Sequence, residues 1–246
     1  ADRDRYVSDP DFIPLPPGGA AAMLDKDYLR ERAKLISLTQ SMGTAKAGTF
    51  DAKTRAALAV PENGTSHVSI VDNYGNALAM TATINSSFGS FRVVNGFVLN
   101  NELTDFDFAP EKNGAPVANR VEPGKRPRSS MSPTIVYDAK GKPVFVVGAA
   151  GGATIIMQVA KALVAHLDWG MSARDSIGLG QIFFNKDGLA LEPGTALEAM
   201  KPALEAMGHH VAPLSAYLKA NAAERLPDGT WQGAADPRSV GVALTE

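Results

Sequence analysis

The sequence predicts an α+β protein in which helices cover two stacked sheets, a helix-sheet-sheet-helix sandwich. Three observations carry that expectation. Helical periodicity brackets the chain, two hairpin patterns lie between, and one strand, Val144-Phe145-Val146-Val147, is apolar on both faces, so it must be covered on each side. No βαβ alternation and no internal repeat competes with this order. At 246 residues, 45% of them hydrophobic, the chain can bury one large core or two small ones.

Taken in order, residues 1–23 are rich in Pro, Gly and Asp and read as irregular. Leu24 to Met42 places Leu29, Ala33 and Ile36 on one helical face. From Gly43 to Gly64 the composition turns small and polar and ends in Pro61-Glu62-Asn63-Gly64, an exposed, flexible stretch open to cleavage. His67 to Val71, a turn at 72–76 and Ala77 to Ile84 form a first hairpin; Thr134 to Val147, turning at 138–142, forms a second. Ile155 to Leu167 repeats Ile156, Val159 and Leu163 at helical spacing, and further helices are expected near Ser172–Leu179 and Thr195–Met207. The tail from Gln232 reads as extended.

Several chemistries are excluded early. A net charge of -2 without a basic cluster offers no footprint for nucleic acid, which leaves a small molecule or peptide as partner. With no cysteine there is no disulfide, thiolate nucleophile or thiolate zinc site. No apolar run approaches the roughly 18 residues of a membrane span. Neither a zinc-protease, a serine-elbow nor a P-loop motif occurs, and His67, His166, His209 and His210 lack ligand spacing, so no metal and no cofactor is expected.

Three segments retain chemical interest. Gly148-Ala149-Ala150-Gly151-Gly152-Ala153 joins an apolar strand to an apolar helix, where backbone N–H groups either cradle an anion or simply make a tight turn. Asn100-Asn101-Glu102-Leu103-Thr104-Asp105 supplies carboxylates suited to an ammonium, and Ser129-Ser130-Met131-Ser132 supplies hydroxyls suited to a carboxylate. Each also reads as an ordinary polar strand end.

These segments follow Thr65-Ser66-His67-Val68-Ser69-Ile70-Val71-Asp72 in fixed order, together with Gly75-Asn76-Ala77, Thr81-Ala82-Thr83-Ile84-Asn85, Leu99-Asn100-Asn101-Glu102, Asp105-Phe106, Lys125 through Thr134, and Asp236-Pro237-Arg238-Ser239. In this the sequence resembles the γ-glutamyltranspeptidase family, N-terminal-nucleophile hydrolases with an αββα core. The resemblance covers the family's small subunit over residues 65–246. Residues 1–64, with Ala1-Asp2-Arg3 and Asp9-Pro10-Asp11-Phe12, look like the end of the large subunit and a processing linker, both parts belonging to one domain.

The resemblance implies self-cleavage between Gly64 and Thr65, which frees Thr65 as an N-terminal nucleophile. Thr83 would orient its hydroxyl, and the N–H groups of Gly151 and Gly152 would hold the oxyanion. Asn85, Glu102 and Asp105 would bind the donor's ammonium, and Ser129 and Ser130 its carboxylate, aided by a large-subunit arginine expected before residue 1 on an upstream polypeptide. The γ-glutamyl group of glutathione or another γ-glutamyl amide would pass through an ester on Thr65 to water, an amino acid or a peptide. Export to the periplasm or outside the cell is usual for the family.

Three departures from the family pattern stand out. Ala149-Ala150 and Thr154 replace a Ser-Pro and an arginine around the paired glycines; the stretch from Phe106 to Lys125 is short and lacks Tyr or Trp, which implies an open pocket; and Ser66 replaces a second threonine. The competing readings are a related acylase acting on glutaryl-cephalosporins or poly-γ-glutamate, and an unprocessed or catalytically silent homologue.

Overall fold

The chain's strongest pairing preference sits in its middle, where Asp72 and Asp138 each fold a five-residue turn by accepting backbone N–H groups. Asp72 takes those of Tyr74 and Asn76, and Asp138 those of Lys140 and Lys142. A computed structural model describes residues 1–50, 64–185 and 188–245. The first turn joins β1 (Thr65–Val71) to β2 (Ala77–Thr83), antiparallel with Thr65 opposite Thr83. Two short ribbons follow, β3 (Val93–Val94) with β4 (Phe97–Val98) and β5 (Glu111–Lys112) with β6 (Ala115–Pro116). Each turns on an Asn-Gly pair with both residues at positive φ.

The second turn joins β7 (Thr134–Tyr137) to β8 (Pro143–Ala150), which is buried along its last six residues as its double-faced apolar pattern requires. Next come α4 (Ile155–Leu167) and α5 (Ala173–Gly178), then β9 (Ile182–Asn185) and β10 (Gly188–Leu191), which build a small sheet with β11 (Val211–Pro213). Strands β12 (Lys219–Arg225) and β13 (Trp231–Ala235) complete the main sheet in the order β13-β12-β8-β7.

Side-chain alternation along β8 sets the packing. Phe145, Val147 and Ala149 meet Ile155, Val159 and Ala162 of α4 and Ala173 and Ile177 of α5, forming the core. On the other face the β1–β2 hairpin crosses β8 and β12. The hairpin's inner residues Thr65 and His67 are buried, whereas Val68, Ile70, Leu78 and Met80 on its outer face are 41–50% exposed. Alanines at 220, 222 and 223 keep β12 thin enough for both neighbours to approach.

Several expectations need correction. The helix expected over 24–42 is confined to α3 (Lys26–Ala33), started by the Asp25 carboxylate over the Asp27 and Tyr28 N–H groups. Beyond it the Ser37 hydroxyl takes the N–H groups of Thr39 and Gln40, local bonds that compete with a helix, and Leu29 and Ile36 stay exposed. Residues 1–23 are more ordered than their composition suggests, with α1 (Asp2–Tyr6), α2 (Gly19–Met23) and a buried Tyr6. In the stretch expected to be flexible, Gly48 is buried and Phe50 packs against Tyr6 and Tyr28 at 5.2 and 4.8 Å; most of the remainder, 51–63, lies outside the described residues. The buried stripe of α4 is Ile155, Gln158, Val159, Ala162 and Ala165, so Ile156 lies beside it and Leu163 packs against the core only partly buried. The helix near 195–207 is split into a 3₁₀ turn at Ala196–Met200 and α6 (Lys201–Ala206).

The N-terminal segment is clasped to the loop before β7. Arg126 pairs with Asp9 through Nη2 at 3.0 Å and Nε at 3.1 Å, and its backbone N–H adds a third bond at 2.9 Å. Arg128 reaches the Asp4 carboxylate at 3.4 Å, and Ser8 donates to the Ala118 carbonyl at 2.7 Å. The Arg126 guanidinium holds the Asp9 carboxyl far below the usual carboxylate range.

Candidate active site

Thr65 opens β1 with its side chain turned inward, 2% exposed, and register puts it directly across from Thr83. Their hydroxyl oxygens are 3.0 Å apart. Thr83 Oγ1 also accepts the Asn85 N–H at 2.8 Å and donates to the Gly64 carbonyl at 3.3 Å. A hydroxyl has one hydrogen, and a carbonyl cannot donate, so Thr65 supplies the hydrogen between the threonines. This leaves the Thr65 oxygen lone pairs unshared beside the peptide bond that precedes it. The Gly64 carbonyl also receives the Ile84 N–H at 3.4 Å, so two donors already polarise it.

Gly64 is required for space. A Cβ there would lie 2.3 Å from the Ser86 carbonyl oxygen and 2.6 Å from that of Asn85. Close approach of these two carbonyls is therefore a reason for glycine at this position.

Asn85, 1% exposed, bends the chain at φ 71 and links the threonines to the acidic cluster. Its Nδ2 donates to Asp105 Oδ1 at 2.8 Å, Thr104 Oγ1 at 3.0 Å and the Asn101 carbonyl at 3.3 Å. Glu102 and Asp105 occupy one 3₁₀ turn, Glu102–Asp105, so their carboxyls meet. Burial, then repulsion by Asp105, pushes Glu102 up to about 7. A positive charge placed beside this carboxyl pair would offset both penalties.

Gly151 and Gly152 end β8 at φ 134 and 59, and a Cβ on Gly151 would strike the Tyr217 carbonyl oxygen at 2.3 Å. The loop is stiffened by Thr154, which donates to the Gly151 carbonyl at 2.8 Å, and by the buried Gln158, which binds the Ala150 carbonyl at 2.9 Å and Thr154 Oγ1 at 3.0 Å. Thr154, a departure noted in the sequence, thus braces the turn. Ser129 and Ser130 lie in the clasped loop before β7. No hydrogen bond among the described residues joins either pair directly to the Thr65–Thr83–Asn85–Asp105 chain.

Sequence reasoning passed over two residues. His67, which lacks ligand spacing, fills the space over Gly148 with its ring, where an added Cβ would come within 2.2–2.4 Å of three ring atoms. Burial pushes its imidazole down to about 4, so it stays neutral while bonding Thr81 Oγ1 at 2.7 Å. Arg3 donates through Nη2 to the Ser129 carbonyl at 2.8 Å and to Ser130 Oγ at 2.9 Å. The only local signal for Arg3 was its place in Ala1-Asp2-Arg3; a contact across some 126 positions has no periodicity to reveal it.

A buried threonine at a strand start, backed by a second hydroxyl and preceded by a polarised peptide carbonyl, defines the architecture of an N-terminal-nucleophile hydrolase. The sequence model of the gamma-glutamyltranspeptidase family matches residues 1–245, and the chain belongs to that family. A glutathione hydrolase proenzyme of Bacillus subtilis (strain 168) is 34% identical over 258 residues, 99% of this chain but 42% of that protein. The acylase ACY 1 proenzyme of Pseudomonas sp. (strain SE83) is 33% identical over 248 residues, again 99% of this chain and 41% of the relative. The crystal structure of an acivicin-inhibited gamma-glutamyltranspeptidase superposes with a TM-score of 0.64 at 34% identity, covering 71% of this chain and 99% of that one. The chain therefore spans well under half the length of the curated relatives it matches. Among the described residues no helix is long and apolar enough to cross a membrane.

Proposed function

We propose that the chain is the catalytic part of an enzyme that cleaves γ-glutamyl amides such as glutathione, with Thr65 as nucleophile after self-cleavage at Gly64-Thr65. The observation that carries this reading is the Thr65 hydroxyl held 3.0 Å from Thr83 Oγ1 beside a carbonyl that already accepts two hydrogen bonds. In maturation, Thr65 Oγ attacks the Gly64 carbonyl carbon, and the peptide nitrogen leaves with a proton as the new α-amine. Water then opens the ester to a Gly64 carboxylate and a free Thr65 hydroxyl. That amine, with a reference pKa of about 7.7 to 8.0, takes the hydroxyl proton in each later turnover.

The donor's carbonyl would be attacked the same way, its oxyanion facing the Gly151 and Gly152 N–H groups. Its ammonium would lie between Glu102 and Asp105 and the Asn85 Oδ1, the Asn85 amide hydrogens being committed elsewhere. Its carboxylate would meet Ser129 and Ser130. The resulting γ-glutamyl ester passes to water or to the amine of an amino acid or peptide. We also propose that residues 1–64 end a large subunit, residues 65–246 form the small one, and an upstream polypeptide adds the fourth layer of an αββα sandwich by covering the exposed outer face of β1 and β2.

The likeness to an acylase keeps a second reading open, in which a glutaryl amide is the donor. The paired carboxylates favour the γ-glutamyl reading, since a glutaryl group brings no ammonium to offset them. Replacing Thr65 by Ala in the precursor tests the proposal. N-terminal sequencing of the unaltered protein should find a Thr-Ser-His-Val terminus, and the variant should yield neither that terminus nor γ-glutamyl amide cleavage. Turnover by the variant would refute Thr65 as nucleophile.

A further inference from the structure

We infer that Arg3 positions the carboxylate subsite: it sets the Ser130 hydroxyl as a donor toward the substrate's α-carboxylate. The inference rests on the reading of Ser129 and Ser130 given above and adds a residue that reading does not contain. Arg3 Nη2 carries two hydrogens, directed at the Ser129 carbonyl at 2.8 Å and Ser130 Oγ at 2.9 Å. Its Nη1 is held by Asp4 at 3.2 Å, and Asp4 in turn by Arg128, whose side chain is 4% exposed. The second guanidinium nitrogen is thereby tied to an ion pair rather than to the serines.

The consequence follows from the chemistry of the two groups. A guanidinium donates only, so Ser130 Oγ must accept from it, and its single hydrogen is directed elsewhere. Among the described residues nothing accepts that hydrogen. A donor hydroxyl with a fixed cation behind it suits an anion, and a carboxylate can share both. Arg3 precedes Gly64 and Ser130 follows Thr65, so the subsite is assembled from both sides of the cleavage point.

The test uses the full precursor, with cleavage and melting temperature recorded for each variant. Two ligands are compared: L-γ-glutamyl-p-nitroanilide, and 4-aminobutyryl-p-nitroanilide, which lacks only the α-carboxylate and is followed as substrate or competitive inhibitor. Arg3→Gln should raise KM for the first by about tenfold, the worth of one charge-assisted hydrogen bond, with a smaller fall in kcat. Affinity for the second should hold. Arg3→Lys, which keeps the charge but replaces the planar fork held by Asp4 with a shorter, more strongly hydrated ammonium, should fall between. Equal loss on both ligands, or no loss on either, overturns the inference. Ser130→Ala separates the two levels. If it discriminates between the ligands and Arg3→Gln does not, only the role of Arg3 falls; if neither discriminates, the serine subsite falls with it.

Discussion

Glu102 and Asp105 show what it costs to hold two carboxyl groups together. Burial and the neighbouring carboxylate push Glu102 up to about 7, so around neutral pH it is divided between a charged form that attracts an ammonium and a neutral form that does not. The sign is set by that upward shift: as pH falls through about 7 the proton returns, and the donor's ammonium loses a partner. KM for a γ-glutamyl donor should therefore rise from about pH 8 to about pH 6. Glu102→Gln should show a raised KM that is flat across the same window. A matching pH profile in variant and parent would remove Glu102 from the ammonium site. The pair was legible in the sequence as acidic residues three apart near a strand end. Its link to Thr65 was not, because the link runs through the Asn85 side chain and a left-handed backbone that no periodicity marks.

Between elements, the hairpin that carries Thr65 packs across β8 and β12, and one ring fills a gap at their contact. His67 lies over Gly148, and Asn221 of β12 donates to the His67 carbonyl. Gly148→Ala would drive a methyl group into the ring from a strand buried on both faces, and overpacking of this kind typically costs about 1–3 kcal/mol. Melting temperature should fall, and adding His67→Ala should recover part of the loss; purely additive effects would show that the two do not share a contact. Both hairpins were readable because an aspartate and a glycine define each turn, and α4 was readable because a long apolar stripe leaves no alternative. Strand β12 was not. Lys219-Ala-Asn-Ala-Ala-Glu-Arg225 has no β-branched residue, and its strand conformation comes from pairing with β8 and β13 rather than from local preference.

For the molecule as a whole, Val68, Ile70, Leu78 and Met80 form a contiguous apolar surface on the hairpin face opposite the Thr65 side chain. If an upstream polypeptide covers it, the chain expressed without that polypeptide should bind a hydrophobic dye and self-associate, and coexpression should suppress both. Ile70→Lys combined with Met80→Lys should abolish capture of the upstream polypeptide on copurification; undiminished capture would place that partner elsewhere. The clasp between the N-terminal segment and the loop before β7 acquires a different meaning if Gly64-Thr65 is cut as proposed above. While the chain is continuous, Arg126 and Asp9 meet at the high effective concentration that a tether guarantees, whatever the dilution. After the cut the same contact joins two molecules. On that proposal, cleavage would make the molecule's cohesion a function of its own concentration and of ionic strength, a dependence the uncut chain does not have.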